Sequence, residues 1–215
     1  MIGGTGRGLL AITMVGLLGA CAGPESSEAE PAGADPVVQG EAAAVSGPAS
    51  AMACAPMSDR MALEGRTSPY DSAQVRIGEA TALVCYGRPS ARGRTMIGGD
   101  AVPYGSLWRT GANEPTTLHL PVAAEVAGVA LQPGSYSLYT VPGENEWEVI
   151  LNRSVDQWGH ESAYTEEVRA QEVGRGTVPA ASTEQHVETL TLRGEQGALV
   201  LEWEDTRVRI PVRPL

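Results

Sequence analysis

The sequence predicts an all-β domain, an antiparallel β-sandwich of jelly-roll-like character with long loops and at most one short helix. Three observations predict it. Short runs that alternate apolar and polar residues recur from about residue 66 to 213. They are separated by turn words at Gly98-Gly99, Pro133-Gly134, Pro142-Gly143 and the Gly194 to Gly197 stretch, the spacing of strands and turns found in sandwiches and barrels. Only Ser162 to Ala170 offers a helical turn. A stretch of this length is enough for one domain with its own core.

The chain begins differently. Arg7 precedes an apolar run from Leu9 to Leu18, and Leu18-Gly19-Ala20-Cys21 closes it. A short positive start, an apolar run of this length and small residues before the cut mark a secretory signal. The run is too short for a membrane span. A cysteine directly after the cut is the lipidation point of a bacterial lipoprotein. Residues 1–20 are therefore expected to be removed, leaving Cys21 lipidated and the protein anchored through its acyl chains on the periplasmic side of the cell envelope. Ala22 rather than Asp follows the cysteine, which leans the address toward the outer membrane over the inner one.

Residues 21–53 read as a disordered acidic tether. From Ala22 to Ala53 the chain is mostly Ala, Gly, Pro, Ser and Glu, with five acids, no base and no aromatic residue, so it cannot bury enough apolar surface to fold. The domain is expected over 54–215. Cys54 and Cys85 remain once Cys21 is set aside, and in an exported chain two such cysteines pair. Their bridge would staple the leading segment to the strand Ala80 to Tyr86, worth about 3–4 kcal/mol in the chain-entropy account.

Within the domain, Glu146 to Leu151 alternates Trp147, Val149 and Leu151 against Glu146 and Glu148, one face inward and one outward. At the end of the chain a hairpin is expected, turning at Asp205-Thr206. That register places Glu204 opposite Arg207 and Glu202 opposite Arg209, with Leu199, Leu201 and Trp203 facing Val208, Ile210 and Val212 on the other side.

The whole chain holds 15 Arg, no Lys and 26 Asp plus Glu, for a net charge of −11. Nucleic acid is excluded as a partner, because binding it rests on cationic neutralisation of phosphates. Against this acidic background four arginines, Arg88, Arg92, Arg94 and Arg109, gather in the loop-rich stretch from Tyr86 to Glu114. Asp156-Gln157-Trp158-Gly159-His160 adds a second polar and aromatic word. Loops on a rigid sheet carry function, and a Trp beside Arg, Asn and Glu offers a stacking face with directional hydrogen bonds. The candidate ligand-binding residues are Arg88, Trp108, Arg109, Asn113, Glu114 and Trp158. The competing reading is structural, with arginines tying long loops and Trp108 and Trp158 plugging the sandwich ends.

The words Tyr86-Gly-Arg-Pro-Ser, Val102-Pro-Tyr-Gly, Trp108-Arg-Thr-Gly-Ala-Asn-Glu, Gly134-Ser-Tyr-Ser-Leu-Tyr-Thr-Val-Pro-Gly, Glu146-Trp-Glu-Val-Ile-Leu-Asn and Asp156-Gln-Trp-Gly occur in order. With them the chain resembles the bacterial family called domain of unknown function 2911, over about residues 67–212. The resemblance implies an exported β domain and no particular activity.

Enzyme templates mostly fail. There is no Gly-x-Ser-x-Gly, and without Lys there is neither a P-loop lysine nor a Schiff base. His119, His160 and His186 lie far apart, with no metal-ligand spacing. No cofactor or metal is expected. The surviving catalytic pair is Glu114 as acid or base with His160, Arg109 holding an anionic group. Three readings stay open: a lipid-anchored module binding a small anionic or sugar-like ligand, a hydrolase using Glu114 and His160, and a structural or assembly protein of the envelope.

Overall fold

Tyr70 to Gly87 makes the first hairpin because Gly78, at φ 59°, supplies a left-handed turn that a side chain resists. In the computed structural model, which describes Cys54 and residues 64–215, strand β1 (Tyr70–Ile77) alternates buried Ala73, Val75 and Ile77 with exposed neighbours. Strand β2 (Ala80–Gly87) is buried over Ala82 to Tyr86. The signal peptide, Cys21 and the tether 21–53 lie outside the described residues. Cys54 is bonded to Cys85 in β2, with Cα atoms 5.6 Å apart, within the reach of an ordinary disulfide.

Seven more strands follow: β3 (Thr116–Leu120), β4 (Ala124–Val126), β5 (Val129–Leu131), β6 (Gly134–Val141), β7 (Glu146–Asn152), β8 (Glu172–Glu195) and β9 (Ala198–Pro214). All pair antiparallel in the order β1-β2-β3-β6-β7-β8-β9-β4-β5. The β4–β5 hairpin, turned by Ala127 and Gly128 at φ 50° and 83°, leaves the next-neighbour order and docks on β9. The turn words fall where the sequence places them: Pro133-Gly134 opens β6, and Pro142-Gly143 joins β6 to β7.

β8 folds the sheet over. Up to Pro179 it pairs with β7, and from Ala180 onward with β9, through register shifts between Ser182 and Thr191. A strand that changes partners at irregularities makes the corner between two layers. The layers then meet: Gly194 of β8 lies so close to β1 that a Cβ would collide with the Gln74 carbonyl. One apolar core draws on all nine strands, with Trp108, Trp147 and Trp203 in it. Among the described residues, a 3-10 turn at Glu161–Ala163 and helix α1 (Glu166–Arg169) are the helical elements. Tyr164 and Val168 cover the outer face of the sheet at Tyr139 and Ile150.

The expected hairpin at Asp205-Thr206 is corrected. β9 runs unbroken through both residues, and the turn lies earlier at Gln196-Gly197, with Gly197 at φ 64°. Asp-Thr is a weaker left-handed turn pair than one containing Gly, and the long β8 supplies β9 with a partner. The inward residues are still Leu199, Leu201, Trp203, Val208, Ile210 and Val212. Glu204 reconciles them: its φ of 52° breaks the strict alternation of the strand. Its carboxylate accepts from the Met96 and Ile97 amides at 3.0 and 2.8 Å instead of meeting Arg207. Glu202 takes Arg207 at 3.2 Å and Arg193 at 2.7 Å.

Candidate functional site

The long connection between β2 and β3 carries the four arginines, and the first three of them tie its opening part to the chain around it. Arg88 donates through Nε to the Leu190 carbonyl at 3.1 Å, through Nη1 to Asp71 at 3.0 Å and through Nη2 to Thr191 at 3.2 Å. Arg94 reaches back to the carbonyls of Ala91 and Ser90 at 3.0 and 3.4 Å. Arg92 bonds the Thr67 carbonyl at 3.3 Å, and its own amide is held by Glu188 at 2.6 Å. Main-chain bonds from Ala91 to Glu188 and from Leu190 to Pro89, each 2.9 Å, sew this part of the loop to β8.

Trp108 begins the second part. Its backbone exchanges both hydrogen bonds with Thr140 of β6, at 2.8 and 2.9 Å. Its ring is 3% exposed, stacked on Trp203 at 5.7 Å and edge-on to Trp147 at 6.0 Å. Past it the chain takes two left-handed steps, at Thr110 with φ 58° and Asn113 with φ 66°. A β-branched residue in that region is strained and persists only where its surroundings fix it. Here they do: Thr110 is fully buried with its hydroxyl 3.0 Å from that of Thr140, and its carbonyl accepts from Thr116 Oγ1 at 2.8 Å. Thr116 N donates to the Arg109 carbonyl at 3.0 Å. Gly87 must lack a side chain, because a Cβ would strike the Ala112 carbonyl.

The 156–160 word rests on this loop. A Cβ on Gly159 would collide with Asn113 O, and also with Arg109 Cδ at 2.5 Å. Arg109 Nη1 donates to Glu161 at 2.8 Å and lies 3.5 Å from the Gly159 carbonyl. Among the described residues, Arg109 Nε and Asn113 Nδ2, together with Trp147 Nε1 in the core, are buried donors with no hydrogen-bond partner. Trp158, which precedes Gly159 in the chain, is partly exposed. Gln157 pins the segment to the sheet through Ser137, Tyr139 and Ser154 at 3.0 to 3.3 Å. Burial pushes the Tyr139 phenol up to about 12, against the opposing hydrogen bond from Gln157, so it acts as a neutral hydroxyl.

Glu114 faces elsewhere. Arg66 donates to both of its oxygens, at 2.7 and 2.8 Å, and both side chains are 1% exposed. Every other ion pair among the described residues has both partners at least 16% exposed. Tyr70 lies against the same guanidinium, its ring centroid 5.7 Å from Arg66 Cζ. Its phenol is pushed up to about 12 by burial and then by the Glu114 charge. The Glu114 hydrogen bonds raise Arg66 above the ordinary guanidinium value, against desolvation. His160 is exposed, and its Nδ1 caps the 3-10 turn at Ser162, 3.2 Å from the amide and 2.7 Å from the hydroxyl. No hydrogen bond joins Glu114 to His160 among the described residues.

The predicted residues thus separate into four places. Arg109, Asn113 and Trp158 belong to the junction of the two loops, Trp108 to the core, and Glu114 to a buried pair on the β1 side. Arg88 lies apart, against β8. Sequence reasoning missed Arg66, Tyr70 and Glu161. Arg66 stands before the first family word with no pattern around it, and Glu161 reads as an ordinary acid opening a helical turn.

No curated protein and no solved structure matches the chain. A family model described as "Protein of unknown function (DUF2911)" matches residues 68–212.

Proposed function

The chain belongs to this DUF2911 family of proteins of unknown function, and from that premise we propose that it is a lipid-anchored binding module of the cell envelope. The ligand is small and anionic or sugar-like, and it is taken at the junction of Arg109, Asn113 and Trp158. One observation carries this reading: two buried side-chain donors on one strained loop, Arg109 Nε and Asn113 Nδ2, lack acceptors. Each such group costs about 1–3 kcal/mol, and native chains keep few of them without a partner to come. Both groups donate, so the missing partner is rich in acceptors: a carboxylate, a phosphate, a sulfate or sugar hydroxyls. Arg109 supplies a permanent charge, and Trp158 a partly open ring for an apolar sugar face.

The test is a thermal-shift screen of the full chain against inorganic phosphate, sulfate, glucuronate and N-acetylglucosamine. A ligand of the native state must raise the midpoint. Arg109→Ala is expected to cost that ligand about 1.5–3 kcal/mol of binding, as for a charge-assisted hydrogen bond, and to leave the apo midpoint nearly unchanged. No shift with any probe, together with a large apo loss in Arg109→Ala, would favour the second reading, a structural envelope protein. That reading draws on Arg88, Arg92 and Arg94, which donate to main-chain carbonyls. A hydrolase using Glu114 and His160 lacks comparable support, since each group is already engaged with a different partner.

Anchoring rests on Leu18-Gly19-Ala20-Cys21. Cys21→Ser removes the acylated thiol and is expected to leave the protein in the soluble fraction after carbonate washing, or stalled as the uncleaved precursor. A processed Cys21→Ser protein that still sediments with membranes would overturn the anchor.

A further inference from the structure

The Arg66–Glu114 pair is better described as an occupied receptor than as a tie between two loops, and this is independent of the ligand reading above. The loop that carries Glu114 is held by bonds that do not involve Arg66. Thr116 fixes the carbonyls of Arg109 and Thr110. Gly87 packs against Ala112, and Gly159 against Asn113. Tyr70, which adds the aromatic wall, is set by pairing with Gly87 across β1 and β2. The carboxylate therefore sits on a loop fixed independently of Arg66 and presents both oxygens to one planar group.

That geometry selects its occupant. A guanidinium matches two carboxylate oxygens with two parallel N–H donors and can lie over a ring at 5.7 Å, whereas an ammonium offers a point charge. A carboxylate 1% exposed is costly when unpaired, so the site has a strong demand for a cation. Beside it a recess of about 410 Å³ opens between Cys54, Gly65, Arg66, Pro69, Tyr70 and Asp71.

We propose that Glu114 and Tyr70 form a guanidinium receptor, which Arg66 fills as an intramolecular ligand and which accepts an external guanidinium, such as the side chain of another arginine, when Arg66 is withdrawn. The experiment is chemical rescue of full-length Arg66→Ala with the disulfide intact. Its thermal midpoint is expected to fall by about 10 °C. N-ethylguanidinium at millimolar concentrations should restore about 5 °C in a saturable manner, with sodium chloride at equal ionic strength as reference. Ethylammonium should restore far less, and Glu114→Gln in the Arg66→Ala background should abolish the effect. If Arg66→Ala does not accumulate as folded protein, the same comparison is made on the yield of refolding from urea, which only N-ethylguanidinium should raise. The proposal is overturned by the absence of saturable rescue, by equal rescue with ethylammonium, or by rescue that survives Glu114→Gln.

Discussion

Glu114→Ala is expected to destabilise the domain by about 3–5 kcal/mol, the usual cost of breaking a buried ion pair from one side. The size follows from what remains. With the carboxylate gone, the Arg66 guanidinium, 1% exposed, keeps its charge and loses two short hydrogen bonds. Arginine cannot lower this cost by giving up its proton. The loss also reaches the backbone, because Glu114 follows Asn113, left-handed at φ 66°, and such a step depends on its surroundings. Replacing both partners, as Arg66→Met with Glu114→Met, removes both charges and is expected to recover most of the stability, since apolar replacements of buried pairs are often neutral or better. Urea denaturation of the two single variants and the double closes the cycle and gives the coupling energy directly. A Glu114→Ala protein within about 1 kcal/mol of wild type would show that the pair is not buried in solution.

The fold was readable because its signals are local. Alternation in β1 and β7 needs one buried face, and Pro142-Gly143 and Gly197 need only their own backbone preferences. The β9 turn failed where the local signal was weak and a distant strand decided. Charge pairing across Asp205-Thr206 is satisfied on paper, yet Glu204 finds two amides of the Met96 loop that no reading of β9 alone reveals. The same limit governs the site. The arginine count between Tyr86 and Glu114 is plain in the sequence, but the carbonyls that absorb Arg88, Arg92 and Arg94 come from Leu190, Thr67, Ala91 and Ser90, partly across long separations. Arg66 was invisible for the converse reason: the carboxylate that takes both of its donors lies 48 residues away.

Trp108→Ala is expected to cost about 3–5 kcal/mol of apo stability, the range for deleting a buried aromatic ring. The sequence allows Trp108 two roles, a stacking platform for a ligand or a core residue, and the two predict different results on one instrument. A platform faces the solvent, so its loss weakens binding and leaves the empty domain intact. The ring is instead 3% exposed and sits between two other indoles, nearly parallel to Trp203 at 18° and edge-on to Trp147 at 79°. Each aromatic contact adds about 0.5–1.5 kcal/mol beyond burial. Its removal leaves a cavity against residues from several strands, and the backbone cannot move in to fill it while Trp108 stays paired with Thr140. Trp108→Phe keeps part of the ring and should lose less than half as much. If so, the tryptophan in this family word serves by fixing the first residue of the loop, from which Arg109 and Asn113 are then displayed. A Trp108→Ala domain as stable as wild type would reverse that assignment and return the ring to the ligand.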